Sequence, residues 1–299
     1  MGSLPGHVVP GTIFLILGLW WMYSAWLRYF ICRQRRRPYY VTVSFPCHCC
    51  GPRVARLPIE SFFVLFGTTL GILIELIAGF NRVIDPKTGS VSFNEGANNL
   101  QHFAMYFMFF IVGLISLLAH YNFPLPKNFD GVAGCLAFTA EGLLFYFHGH
   151  AREEVEVLLH VFLVLSIFAT VICAVFEIIQ KEKQVHTTLM RAYFTVMQGA
   201  WFYAIGFILY SPFHEHYEQS KDPDAHRTTM LIAYYFALNM AITFFTLLML
   251  SIPAYYISKR QYQTIDFAEY GNLSMINNDD DDDEMEKLNG VTTTTTTIH

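Results

Sequence analysis

Seven long apolar stretches, each separated from the next by polar residues, dominate the pattern of this chain. They cover about residues 11–31, 59–80, 102–120, 131–149, 155–179, 190–210 and 228–257. A helix of about 20 mostly apolar residues is long enough to cross the hydrocarbon core of a bilayer. The pattern therefore predicts an all-α, polytopic membrane protein whose residues 1–257 form a bundle of seven transmembrane helices.

The chain becomes polar after about residue 258. It carries an acidic run from Asp279 to Glu284 and six threonines at 292–297. A segment with so little apolar area cannot offset the entropy lost on folding. Residues 258–299 are therefore predicted to form a disordered acidic tail.

The composition agrees with a membrane protein. Hydrophobic residues make up 54% of the chain and charged residues 14%, with a mean hydropathy of +0.35. Ordinary soluble domains carry about 25% charged residues. The net charge of −5, without a separate basic region, argues against nucleic-acid binding, so we expect membrane lipids among the partners and no nucleic acid.

The distribution of lysine and arginine predicts how the bundle is oriented. Most of these residues follow the odd-numbered spans, above all in the first loop, where Arg33 and Arg35 to Arg37 form a cluster. Cytosolic loops carry the excess of Lys and Arg in membrane proteins. We therefore expect a lumenal or extracellular N-terminus and a cytosolic C-terminus.

Most histidines fall on the side predicted to be exported. These are His7, His102, His148, His150, His160, His214, His216 and His226. Two carboxylates, Glu75 and Glu141, lie in the outer halves of the second and fourth spans. Ionisable groups within a membrane are costly and indicate a functional site by default.

Three interpretations of this polar layer remain open. In the first, Glu75 and Glu141 are protonated or pair with histidines and Arg152, so that the layer only ties helices together. In the second, the layer binds zinc or protons, since zinc takes imidazole and carboxylate ligands and imidazole titrates near neutral pH. The candidate ligands are His102, Glu141, His148, His150 and His160, with Glu75 and Arg152 as neighbours.

The third interpretation is an intramembrane, metal-dependent lipid hydrolase. Known seven-helix lipid amidases combine buried histidines with Ser and Asp. In this chain, no Asp lies within a predicted span in the outer half of the bundle. A metal-activated water also needs a positioned acid or base, a role that Glu141 can fill.

The tail contains two Tyr-x-x-bulky sequences, formed by Tyr262 with Ile265 and by Tyr270 with Leu273. They resemble the sorting signals that clathrin adaptors bind as extended peptides. We therefore expect adaptor binding through the tail and residence in endosomes, lysosomes or the trans-Golgi network, with the plasma membrane as a further candidate.

Several motifs together resemble the transmembrane protein 45 family. They are Gly6-His7, Pro10-Gly11, Gly18-Leu19-Trp20-Trp21, His102-Phe103, Met105-Tyr106-Phe107, Glu141, Phe145-Tyr146, the block from His148 to Glu153, His160, Gln198-Gly199, Trp201-Phe202, Gly206-Phe207 and Leu209-Tyr210. The likeness covers about residues 1–255, and it departs from the family at Gln101 and Asn239, where histidines are expected. The resemblance implies a seven-helix endomembrane protein without a settled biochemical activity.

These observations lead to one functional hypothesis and one alternative. The hypothesis is a non-enzymatic membrane scaffold or sensor whose lumen-facing His/Glu cluster binds zinc or protons. The alternative is the metal-dependent lipid hydrolase, which the same histidines would serve.

Overall fold

The computed structural model describes residues 4–47, 52–83, 93–148, 154–180, 184–210 and 225–261. Within these ranges all regular structure is helical. The helices are α1 (Leu4–Gln34), α2 (Pro52–Ala55), α3 (Ile59–Val83), α4 (Phe93–His120), α5 (Phe129–His148), α6 (Glu154–Ile179), α7 (Val185–Tyr210) and α8 (Ala225–Gln261). The chain divides into two units, 1–258 and 259–299, and nearly all described residues belong to the first.

Seven of the eight helices, all except the four-residue α2, are long and apolar enough to cross a membrane. The all-α class and the seven predicted spans are therefore confirmed. Several ends differ: α1 begins at Leu4 rather than near residue 11, and α7 begins at Val185 rather than near 190. The earlier start of α7 is explained by Arg191, which is buried and paired rather than marking the edge of the span.

Six of these helices form a ring in which each packs on its neighbours. α1 packs on α7, which packs on α6, and the series continues through α5, α4 and α3, while a smaller contact between α3 and α1 completes it. α8 is attached to α1, α6 and α7 by individual side chains, and much of its surface is exposed. Most of the buried polar groups therefore lie in the interior of the ring, with Thr243 and Ser258 of α8 as further members.

The closest helix contact is between α1 and α7, and glycines make it possible. A Cβ atom on Gly199 would lie 2.7 Å from the backbone nitrogen of Leu15, and one on Gly18 would lie 2.8 Å from the backbone nitrogen of Val196. Small residues at such positions let two backbones approach closely in a membrane, where packing rather than the hydrophobic effect drives association.

The two ends of the bundle carry different polar groups. We call the end at which α1 and α6 begin the histidine end, because His7, His102, His148 and His160 meet there. We call the opposite end, at which α1 ends and α7 begins, the arginine end, because Arg28 and Arg191 are buried there.

Candidate functional site

Four histidine rings form a row across the histidine end. The ring centroids of His7 and His160 are 6.1 Å apart, those of His160 and His148 are 5.5 Å apart, and those of His148 and His102 are 5.8 Å apart. The four residues come from α1, α6, α5 and α4 respectively. The row, which we call the histidine row, thus connects helices that are distant in sequence.

A carboxylate from a fifth helix ends the histidine row. Oε1 of Glu75 in α3 lies 3.2 Å from Nδ1 of His102, and Oε2 accepts a hydrogen bond of 2.7 Å from the amide of Asn99. The side chains of His102 and Glu75 are 23% and 13% exposed. When His102 is protonated, this contact becomes an ion pair, so the row has a negative partner at one end.

Other polar atoms fix the orientation of the inner imidazoles. Nδ1 of His148 lies 3.0 Å from Oε1 of Gln101, and Nδ1 of His160 lies 2.7 Å from the carbonyl oxygen of Glu156. A carbonyl oxygen only accepts, so His160 carries a hydrogen on Nδ1. Phe145 packs against both rings, with centroid distances of 6.2 Å to each.

The structure brings together some of the predicted site residues and separates others. His102, His148 and His160 lie in the histidine row, next to Glu75. Glu141 is on the same helix as His148 but seven residues earlier, which places it about 10 Å deeper in the bundle. His150, Arg152 and the tail residues Tyr262, Ile265, Tyr270 and Leu273 lie outside the described residues.

Three members of the site were not predicted from sequence. His7 was assigned to the exported side, but its position near the N-terminus gave no sign that it packs on His160. No sequence feature pointed to Asn99 as a member of the site. Gln101 was noted only as a departure from the expected histidine, and its side chain lies against His148.

The described donor atoms do not fit a metal ion. Within 4–47, 52–83, 93–148, 154–180, 184–210 and 225–261, no group of three or more His, Cys, Asp or Glu is arranged to hold one. Three of the imidazoles also direct Nδ1 at a protein oxygen rather than at a shared point. Zinc binding that includes His150 stays a prediction.

A second polar cluster, at the arginine end, was missed from sequence. Nε of Arg191 in α7 donates to Oε2 of Glu177 in α6 at 2.6 Å, and both side chains are at most 6% exposed. The guanidinium carbon of Arg191 lies 4.3 Å from the centre of the Trp21 ring. The sequence feature nearest to this cluster was the lysine and arginine content at the start of the sixth span, and we had used it only to predict the orientation of the bundle.

The same cluster continues to the first loop. Trp21 donates a hydrogen bond of 2.8 Å from Nε1 to Oε1 of Glu60, and Oε2 of Glu60 accepts one of 3.0 Å from the backbone nitrogen of Phe45. The guanidinium of Arg28 lies 4.4 Å from the centre of the Phe45 ring and donates to Thr42. Fixed hydrogen bonds and ring contacts of this kind indicate a structural joint.

A comparison with known families adds one relationship. A family model described as a family of unknown function (DUF716) matches residues 127–252. This chain is similar to a family of unknown function. The matched region contains α5, α6, α7 and most of α8, and with them Glu141, His148 and His160. The match fits a multi-helix membrane protein and assigns no activity to the site.

Proposed function

We propose that this protein is a non-enzymatic membrane sensor or scaffold that responds to protons at the histidine end. The observation that carries the proposal is the histidine row, which together with Glu75 links α1, α3, α4, α5 and α6. Imidazole is the side chain that ordinarily changes charge between pH 5 and 8. A change of pH in that range therefore acts on five helices at once.

The spacing of the rings gives the direction of the response. Two positive charges 6 Å apart repel by about 3 kcal/mol at an effective dielectric constant of about 20. His102 has the carboxylate of Glu75 at 3.2 Å, which offsets its charge, whereas His148 and His160 adjoin other histidines. Acidification thus places like charges between α4, α5 and α6 and loosens their contact.

A pH titration of thermal stability tests this proposal. The purified protein in lipid nanodiscs is heated at pH 7.5 and at pH 5.5, and we expect a clearly lower melting temperature at pH 5.5. In the variant His148→Gln with His160→Gln, only His7 and His102 of the row can still be protonated and they are not neighbours, so we expect most of that difference to disappear.

The matched control is His186→Gln. His186 is exposed at the start of α7, at the arginine end, and its replacement removes one imidazole without touching the row. This variant should keep the pH difference of the unmodified protein. A full difference in the His148→Gln, His160→Gln variant contradicts the proposal.

Zinc is the second ligand that the proposal covers, and the same assay separates it from protons. Stabilisation by added zinc at pH 7.5 that is lost when His150 is replaced supports a metal site formed with that residue. A response to pH without a response to zinc leaves the proton as the ligand. Nothing in the described residues favours the lipid hydrolase over the sensor.

Family, orientation and location complete the proposal. We infer membership of the transmembrane protein 45 family, supported by the sequence motifs and by the match to a membrane family of unknown function. The arginine-rich first loop supports a cytosolic tail and a lumenal histidine end. The two Tyr-x-x-bulky sequences of the tail support residence in endosomes, lysosomes or the trans-Golgi network, where the lumen is acidic.

The tail tests both parts of that inference. An epitope after His299 should become accessible to antibody only when the membrane is permeabilised. Tyr262→Ala with Tyr270→Ala should shift the protein to the plasma membrane if clathrin adaptors bind the tail. An epitope accessible in intact cells contradicts the proposed orientation.

A further inference from the structure

Glu141 is a carboxyl group in the centre of the bundle that none of the described residues hydrogen-bonds. Its side chain is fully buried, and neither Oε1 nor Oε2 has a partner among the residues that the structure describes. Other buried or half-buried carboxylates differ: Glu75, Glu60 and Glu177 each accept at least one hydrogen bond. Glu141 is therefore the group whose presence packing does not explain.

Its position relates it to the histidine row. Glu141 precedes His148 by seven residues in α5, so the two side chains share one face of the helix about 10 Å apart along its axis. The part of α5 between them contains Phe145, which packs against His148 and His160. Glu141 thus lies below the row, towards the middle of the membrane.

A tyrosine lies between the two levels. Tyr106 follows His102 by four residues in α4, one turn and about 6 Å deeper on the same face. Its hydroxyl lies within electrostatic reach of both Glu75 and Glu141. Gly71 of α3 makes room for the ring, because a Cβ atom there would lie 2.7 Å from Tyr106. Polar groups therefore extend from the histidine end as far as Glu141.

Aromatic rings lie at the level of Glu141, because Phe14 and Phe109 follow His7 and His102 by seven residues, just as Glu141 precedes His148 by seven. Phe14, Phe109 and Phe138, from α1, α4 and α5, form a triangle with centroid distances of 5.6, 5.3 and 6.1 Å. The buried face of α5 towards the arginine end continues with Ala137 and Ala133.

Among the described residues, no ionisable group forms a hydrogen bond with Glu141. The groups named so far on the helices around α5 are Tyr106 and His102 of α4, His160, Glu156 and Glu177 of α6, His7 of α1 and Arg191 of α7, with Glu75 of α3 beyond Tyr106. The same helices also carry His120 of α4, Glu154 and Cys173 of α6, Arg28 of α1, and Tyr193 and Tyr203 of α7. Arg191 is paired with Glu177 at the arginine end. An unpaired carboxylate in such an interior costs several kcal/mol, and a proton removes that cost.

We propose that Glu141 is a proton-binding site in the middle of the membrane that exchanges its proton with the histidine end. The inference rests on the proposed function, because its protons arrive through the histidine row. A proton adds to one carboxylate oxygen of Glu141 and leaves towards the same end. The site therefore stores a proton and does not conduct it across the membrane.

Infrared spectroscopy of the protein in lipid tests the binding site directly. A protonated carboxyl group gives a C=O band that shifts when H2O is replaced by D2O. We expect this band in the unmodified protein and its loss in Glu141→Gln, which keeps the shape of the side chain. Glu154→Gln, at the exposed start of α6, should leave the band unchanged. An identical band in Glu141→Gln overturns the proposal.

Exchange with one end only is tested in proteoliposomes that contain a pH-sensitive dye. The unmodified protein should give no proton leak above that of empty vesicles. A leak that Glu141→Gln removes overturns this part of the proposal.

The two proposals fail in different ways. If the infrared band is absent but His148→Gln with His160→Gln still removes the pH effect on stability, only the inference about Glu141 is wrong. If the band belongs to Glu141 but the stability effect persists in that variant, the sensor proposal is wrong.

Discussion

Arg191 of α7 and Glu177 of α6 form a buried ion pair, with Nε and Oε2 2.6 Å apart. The Trp21 ring of α1 lies 4.3 Å from the guanidinium carbon, so a third helix joins the pair. A buried ion pair adds little to the net stability of the fold, but each charge strongly destabilises the fold when its partner is removed. The pair therefore makes the arginine end sensitive to the loss of either partner.

Removing one partner should be far more damaging than removing both. Glu177→Leu leaves the Arg191 guanidinium unpaired, and we expect a loss of about 3–5 kcal/mol in the free energy of unfolding. Glu177→Leu with Arg191→Met removes both charges and should restore most of that loss. Unfolding in mixed micelles of increasing SDS content measures both values. A double variant as unstable as the single one would show that the unpaired guanidinium is not the source of the loss.

The close approach of α1 and α7 leads to a second prediction. In Gly199→Ala the new Cβ atom would meet the Leu15 backbone nitrogen at 2.7 Å, so the helices must separate. We expect a loss of about 1–3 kcal/mol from overpacking, seen as a lower melting temperature. Gly134→Ala is the matched control, because nothing lies within 4 Å of a Cβ atom there. A control as unstable as Gly199→Ala would refute the packing argument.

Removal of a single hydroxyl group, that of Tyr193, tests how α8 is attached to the ring. Tyr193 of α7 donates a hydrogen bond of 3.1 Å to the carbonyl oxygen of Met240. Tyr193→Phe removes only this bond and should cost about 0.5–1.5 kcal/mol, measured as a shift in melting temperature. Tyr234→Phe, on the exposed surface of α8, should cost nothing measurable. The hypothesis fails if the two variants behave alike.

Glu60 holds the first loop against the bundle, and proteolysis measures this. Glu60→Ala leaves the donors of Trp21 and of the Phe45 backbone without their acceptor, so the loop should detach more often. We expect faster cleavage by trypsin after the exposed Arg36. Glu60→Gln keeps one acceptor oxygen and should fall between the two. Unchanged cleavage in Glu60→Ala would contradict this role.

The number and class of helices could be predicted from sequence because the hydrocarbon core requires long apolar segments. The ends of the helices could not be predicted, because Arg191 resembled a residue at the edge of a span. In the structure, its ion pair with Glu177 allows it to be buried inside the bundle. A charge marks the end of a span only when no opposite charge neutralises it.

The residue types of the site could be predicted from the sequence, but their arrangement in space could not. Grouping by side of the membrane identified His102, His148 and His160, which the structure places in one row. The sequence could not tell that Glu141 lies a level deeper, because the relative shift of two helices along their axes depends on packing. It also gave no hint that His7 packs on His160, which lies five helices later along the chain.

The bonds that hold α8 have a consequence for how this protein can change over evolutionary time. Tyr193 and Trp26 both donate to main-chain carbonyl oxygens of α8, at Met240 and Leu247. Every amino acid supplies such an oxygen, so these two bonds do not depend on the side chains at positions 240 and 247. Substitutions at these two positions can accumulate over evolutionary time without removing either bond.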